Sequence, residues 1–145
     1  MVTDEGHRKA KGIHYTPPLL AAYLAEQVVS GLKKALTKFS DLAILDPACG
    51  EGELLKAIVV AVPCAWRARL RLTGFDMDEA ALERARSRLE NSGVASVELH
   101  ADNFLERAAA VKTSSQMDFF QPRAHEEEMR YDAVISNPPY VRTQI

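Results

Sequence analysis

The sequence has no apolar run long enough to span a bilayer, because charge or proline interrupts every hydrophobic stretch well short of about twenty residues. Its amino terminus carries charged residues where a secretory leader needs an apolar core, which argues against export. Cysteine is scarce: Cys49 and Cys64 show no disulfide-framework spacing, so a reducing cytoplasm is the expected setting and no membrane is expected as partner. An excess of one charge is lacking too. A formal net charge of −2 gives no global pull toward nucleic acid, which counts against a self-sufficient DNA binder. The basic cluster His7-Arg8-Lys9 with Lys11, and Arg84, Arg86 and Arg88 interleaved with acids, read as solvated faces rather than a DNA footprint. The histidines are scattered, and no cluster with ligand spacing accompanies Glu51, Glu53 and Asp102, so no metal is expected. There is no internal repeat and no linker marking a second domain.

What is present suffices for one soluble domain: 145 residues, 47% of them hydrophobic, can bury about two-thirds of the unfolded surface. Thr16-Pro17-Pro18, followed by Leu20, Leu24, Val28, Leu32 and Leu36, predicts an N-capped helix with proline in its first turn and one face packed inward. Ala43-Ile44-Leu45 is a short buried strand closed by Asp46-Pro47 and the turn Cys49-Gly50-Glu51-Gly52. A helix carrying Leu54, Leu55, Ile58, Val59 and Val62 follows, and Pro63 stops it. Leu70 to Phe75 alternates toward a second strand ending at Asp76. Asp78 then caps a helix that turns Leu82, Ala85 and Leu89 inward before Gly93 closes it. Val97 to His100 is a third strand, left through Ala101-Asp102-Asn103-Phe104. A charge-rich connection is expected from about Glu106 to Arg130, with Phe119-Phe120 packing locally and Ser114-Ser115 and Glu126-Glu127-Glu128 exposed. The apolar run Tyr131 to Ser136 is the fourth strand.

Strands alternating with helices imply an α/β fold, a parallel sheet wrapped by right-handed crossovers, whose ligands gather at the carboxyl ends of the strands. Asp46, Asp76, Asp102 and Asn137 each follow one of the proposed strands, so they are expected to converge on a single crevice.

Asn137-Pro138-Pro139-Tyr140 reads as a clamp for an amino group. Asn137 offers a side-chain carbonyl, and the prolines lack N–H groups, so the Asn137 and Pro138 carbonyls are free to accept. The residue before a proline is pushed to extended geometry, which makes the loop stiff. Acceptors beside the Tyr140 ring suit a flat base with an exocyclic NH2, such as adenine. The glycines of Asp46-Pro47-Ala48-Cys49-Gly50-Glu51-Gly52 allow close backbone approach to a ligand, or make a plain strand-to-helix turn; without a G-x-G-x-x-G pattern, a dinucleotide pyrophosphate is not the preferred ligand. Asp76 can accept from both hydroxyls of a ribose, since Asp78 is better placed for the capping role. Met77 lies against an adenine ring or fills the core, and Asp102 accepts from an adenine amino group or is an exposed loop acid. Cys49 has no histidine partner nearby and reads as a small packing group.

The order Tyr15-Thr16-Pro17, Asp46 to Gly52, Gly74-Phe75-Asp76, Asp102-Asn103-Phe104 and Asn137 to Tyr140 resembles adenine-N6 DNA methyltransferases, and more narrowly the gamma arrangement of restriction-modification enzymes. The resemblance spans nearly the whole chain. It implies a Rossmann-like methyltransferase fold, truncated to about the first four parallel strands, with an amino-terminal helical segment over residues 1–40 and a donor-binding core over residues 41–145. It implies S-adenosylmethionine as donor: Thr16, Pro17, Asp46, Ala48 and Gly50 at the methionine end, Asp76 and Met77 at the ribose and adenine, Asp102 with Phe104 at the adenine edge, and Tyr15, Cys49, Gly52 and Asn103 as further cofactor-binding residues. Asn137, Pro138, Pro139 and Tyr140 are the implied catalytic loop around a flipped adenine of duplex DNA. Glu51 departs from the pattern, where Ser or Thr is common, and its added carboxylate is expected to weaken donor affinity. Enzymes of this fold continue with further strands and a target-recognition domain, so this chain is expected to be part of a catalytic domain or to be completed by a second polypeptide. Asn-Pro-Pro-Tyr also occurs in protein-glutamine and RNA methyltransferases, which gives the alternative substrates; a catalytically silent donor-binding module is the alternative from another class.

Overall fold

The structure, a computed structural model, describes residues 16–33, 41–117 and 130–138. In chain order its elements are α1 (Pro18–Lys33), β1 (Leu42–Asp46), α2 (Glu53–Ala61), α3 (Cys64–Arg67), β2 (Leu70–Asp76), α4 (Glu79–Leu89), β3 (Ser96–Ala101), α5 (Phe104–Met117) and β4 (Ala133–Val134). The strands form one sheet in the order β3-β2-β1-β4, with every neighbouring pair parallel. The chain therefore steps outward from β1 to β3 and then returns to the other side of β1, which places a topological switch point between β1 and β4.

Register aligns the strand ends. Asp46 pairs with Gly74, Asp76 with Ala101 and Val134 with Leu45. Asp46, Asp76, Asp102 and Asn137 thus lie at or just past the same carboxyl edge, as the sequence leads one to expect. The two central strands supply much of the core: Leu42, Ile44 and Leu45 of β1 and Leu70, Leu72 and Phe75 of β2 are all buried. The alternation expected in β2 is not seen, since only Arg71 along it is exposed. A central strand of a parallel sheet has no wet side, so a nearly continuous buried run replaces the alternating one.

Three of the five helices, α1, α2 and α4, are ones the sequence leads one to expect, and α3 and α5 are not. In α2, Leu54, Leu55, Ile58 and Val59 are buried and the Val62 N–H closes on the Ile58 carbonyl. In α4, the Asp78 carboxylate caps the first turn by accepting from the Ala80 and Ala81 N–H groups, and Leu82, Ala85 and Leu89 face inward. The single turn of α3 has only Pro63 before it as a sequence signal. The buried residues of α1 are Ala21, Ala25, Val29 and Leu32, with Leu24 and Val28 half-buried against the same core, whereas Leu20 is 41% exposed and Leu36 lies outside the described residues. The small alanines leave room for α2 to pack on this side of α1. Its cap also differs. The Pro17 carbonyl accepts the Ala21 N–H at 2.9 Å, one position later than a Thr16 cap requires.

The first part of the expected connection after Glu106 is helical, belonging to α5. Asn103 starts this helix: its side-chain carbonyl accepts from the Leu105 N–H at 3.0 Å, and alanines at 108 to 110 favour the helix without giving an amphipathic pattern. Phe119, Phe120 and Glu126 to Glu128 lie outside the described residues. β4 is shorter than the predicted strand, but its ladder extends on both sides, with Asp132 N–H to Ala43 O and Ile135 N–H to Leu45 O at 2.8 and 2.9 Å. Among the described residues no helix is long and apolar enough to cross a membrane.

Candidate active site at the strand ends

Asp46 closes β1 and is 1% exposed. Its Oδ1 accepts from the Ala48 N–H at 3.1 Å, while Oδ2 is buried without a hydrogen-bond partner. Burial pushes this carboxyl up to about 7 and the charge of Asp76 adds to the rise, against the opposing Ala48 N–H and Ser136 hydroxyl. Ser136, just past β4, is close enough to favour the charged form, yet its Oγ also makes no hydrogen bond of regular geometry. Two unsatisfied polar atoms thus sit across the switch point from one another.

The turn after Asp46 is tied to β2. Cys49 N–H donates to the Phe75 carbonyl at 2.8 Å, and Gly50 N–H donates to Asp76 Oδ2 at 2.8 Å. Gly52 ends the turn with φ +77°, and a Cβ there would stand 3.0 Å from the Ala85 Cβ of α4. Both the backbone angle and the close seat on α4 therefore require glycine. Gly74 is required by space alone, since a Cβ would lie 2.7 Å from Cys49 Sγ and 2.9 Å from Leu99 Cδ2. The Cys49 thiol is pushed up to about 12, by burial first and then by Asp46 and Asp76. It remains a neutral packing group at this turn and does not serve as a nucleophile.

Glu51 points to α4. Its carboxylate takes Arg84 Nε at 3.0 Å and Arg88 Nη2 at 3.5 Å, and Arg88 also pairs with Glu53. Arg84 and Arg88 are therefore not simply a solvated face, as their interleaving with acids predicts; only Arg86, paired with Glu83 at 3.6 Å, keeps that character. Helix spacing puts Arg84 and Arg88 on one side of α4, but only the docking of the turn on α4 brings acids to meet them.

Asp76 accepts two backbone N–H groups, Gly50 on Oδ2 and Asp78 on Oδ1 at 2.9 Å. Each carboxylate oxygen keeps a further acceptor site, which suits a vicinal diol. Met77 is 76% exposed beside it, which removes the core-filling reading. At the end of β3, Asp102 Oδ1 accepts from the Asn103 N–H at 2.8 Å and Oδ2 lies 3.5 Å from Arg107 Nη1. Phe104 packs edge-on to Phe75 with centroids 5.3 Å apart; His100 stacks on Phe75 at 4.7 Å, and Arg107 stands 5.7 Å from its ring centre. The Asn103 side chain is spent on starting α5, since its Nδ2 also donates to Glu106 at 3.1 Å.

At the end of β4, Asn137 Nδ2 donates to Thr16 Oγ1 at 3.2 Å. Thr16 is buried, and this bond joins residues 121 positions apart. Occupying the amide NH2 in this way leaves the Asn137 carbonyl oxygen as the free end. Pro17 and Pro138 are exposed beside the bonded pair. Tyr15, Pro139 and Tyr140 lie outside the described residues. A groove of about 320 Å³ lies elsewhere, between α1 and α2, and no strand-end residue lines it. It is apolar and shallow, whereas the switch point carries the unsatisfied acceptors, so chemistry favours the switch point. Among the described residues no group of His, Cys, Asp and Glu is placed to hold a metal ion.

Comparison with known proteins identifies the family and the fold. A family model described as a methyltransferase domain matches residues 38–138. The type II methyltransferase M.BanIII of Aneurinibacillus aneurinilyticus is 32% identical over 139 residues, covering 95% of this chain and 23% of that protein, so the chain spans about a quarter of that relative's length. Among solved structures, the type I restriction-modification methyltransferase subunit from Streptococcus thermophilus superposes with a TM-score of 0.58 at 19% identity, over 87% of this chain and 23% of that one. The plantazolicin methyltransferase BpumL, solved in complex with SAH, gives 0.55 at 20% identity, over 93% and 42%. Because the family match runs from the approach to β1 through the Asn137 loop, the chain belongs to the methyltransferase-domain family and has its Rossmann-like α/β fold.

Proposed function

We propose that the chain forms the donor-binding and base-holding part of an S-adenosylmethionine-dependent enzyme that methylates the N6 amino group of adenine in DNA, as part of a restriction-modification system. The observation that carries this reading is the Asn137–Thr16 hydrogen bond, which joins two segments of the resemblance at the switch point and leaves the Asn137 carbonyl free. The relationship to type II methyltransferases supports DNA as substrate, and a related fold solved with SAH supports the donor.

The residues fit such a donor. Asp76, with spare acceptors on both oxygens, would take the ribose hydroxyls. The unpartnered Oδ2 of Asp46 suits the ammonium of an amino-acid end. Exposed Met77 and the edge of Phe104 would flank an adenine. When bound, S-adenosylmethionine supplies an electrophilic methyl group on a sulfonium centre. The Asn137 side-chain carbonyl and the Pro138 backbone carbonyl would each accept one N6 hydrogen of an adenine swung out of the duplex, with Tyr140 stacked on its ring. Holding both hydrogens draws the nitrogen lone pair out of conjugation. Positioning and electrostatic acceptance then matter more than a strong base.

Asn137→Ala, built into the enzyme of which these residues form the donor-binding part, is expected to lower methyl transfer to duplex DNA on the order of a hundredfold or more. Donor affinity by calorimetry should stay within about threefold, because the changed group faces the base (about 0.6 kcal/mol). Label from the donor should appear as N6-methyladenine in digested DNA. Normal turnover by the variant, or label found in RNA or protein with DNA untouched, would overturn the reading.

A further inference from the structure

We propose that Arg84 and Arg88 are positioning residues for the donor-binding turn, acting through Glu51; the inference rests on the donor-site reading above. The turn touches α4 at one point, where Gly52 sits on Ala85 with no room for a Cβ. Arg84 and Arg88 flank that point, at one residue before and three after Ala85, and both reach Glu51. The next acid, Glu53, pairs with Arg88 as well. Two acids in the turn and first helical residue are thus matched by two guanidinium groups, and the Glu51 carboxylate is held against α4. One residue earlier, the Gly50 N–H holds Asp76, so whatever fixes Glu51 also fixes the backbone that orients the ribose-binding carboxylate.

This arrangement explains how a carboxylate is tolerated where the resemblance leads one to expect a hydroxyl. An amino-acid donor brings its own carboxylate to the turn, and an unpaired Glu51 would repel it. Clamped between two arginines, Glu51 has its charge balanced and its side chain directed to α4. The expected penalty on donor affinity is removed by residues on a different element.

The experiment is a rescue. SAH is titrated calorimetrically into the full chain, into the Arg84→Gln/Arg88→Gln double variant, and into that double variant with Glu51→Gln or Glu53→Gln added. The double variant is expected to bind about tenfold more weakly, the order of one like-charge contact at intermediate dielectric. Raising the salt concentration should shrink the loss, and adding Glu51→Gln should bring affinity back to within about twofold of the unmodified chain (about 0.4 kcal/mol). A merely structural role for the arginines predicts neither the salt dependence nor the rescue. Unchanged affinity in the double variant, or a loss that Glu53→Gln repairs as well as Glu51→Gln does, overturns the proposal. Failure of the unmodified chain to bind SAH removes the donor site itself, and is distinguished by appearing before any substitution is made.

Discussion

Asp46 holds its proton to a pH near 7, where ordinary carboxyls have long lost theirs. The folded state binds this proton more tightly than the unfolded chain, whose carboxyl titrates near 3.8. Below that value both states are protonated and the group is neutral to stability. As pH rises toward 7 the unfolded chain ionises first, so the folded state loses about 1.4 kcal/mol per pH unit from this residue. Above 7 the loss is complete. Melting at pH 5.5 and pH 8 should therefore show greater stability at the acid end, and Asp46→Asn should flatten the difference; an identical pH slope in the variant would count against the buried carboxyl as its source. Such residues were partly legible in advance. Asp46, Asp76 and Asn137 announce themselves by following apolar runs. Ser136 does not, because a hydroxyl beside a motif gains meaning only from what faces it across the sheet, and the pairing of Thr16 with Asn137 is likewise visible only in the fold.

Turns and helices are governed by close fits that side-chain type alone does not reveal. Gly74 faces Cys49 and Leu99 at distances no Cβ tolerates, so Gly74→Ala should destabilise the fold by about 1–3 kcal/mol through overpacking. Adding Cys49→Ala removes the nearer obstacle, the sulfur at 2.7 Å, but leaves Leu99 at 2.9 Å. The double variant should accordingly recover part of the loss, a coupling that denaturant melts of all the combinations would measure. Strictly additive effects would mean that the contact is not the cause. The same sensitivity to neighbours bears on α1, whose expected face holds at Leu24, Val28 and Leu32 but is extended by the buried Ala21, Ala25 and Val29. It also explains α5, which has strong helix formers but no periodic stripe to announce it. By contrast α2 and α4 were legible because spacing, cap and stop all agree.

The sheet order gives the molecule a firm interior and a lightly held flank. Among the described residues β1 and β2 are each paired on both sides, whereas β4 meets only β1, through a two-residue register extended by single bonds on either side. Amide exchange should therefore be faster at Asp132 and Ile135 than at Leu72, and a donor analogue should slow it more at Ile135 than at Leu72, since Ser136 and Asn137 border the site. Uniform protection across the four strands would contradict this. Strand number and direction followed from alternation of apolar runs and helices, and the convergence of their ends followed from parallel pairing. The length of β4 did not, and β1 does not set it, since β1 runs past the paired residues at both ends.

The bond between Thr16 and Asn137 spans nearly the whole chain, and this sets an order of assembly during translation. A growing polypeptide can pair β1 with β2 and bring Gly50 to Asp76 while residues past 102 are still inside the ribosome. The Asn137 segment follows later and meets a helix entry made more than a hundred residues earlier. A nascent chain of this design would tie its first turn to the second strand before the fourth strand reaches the sheet.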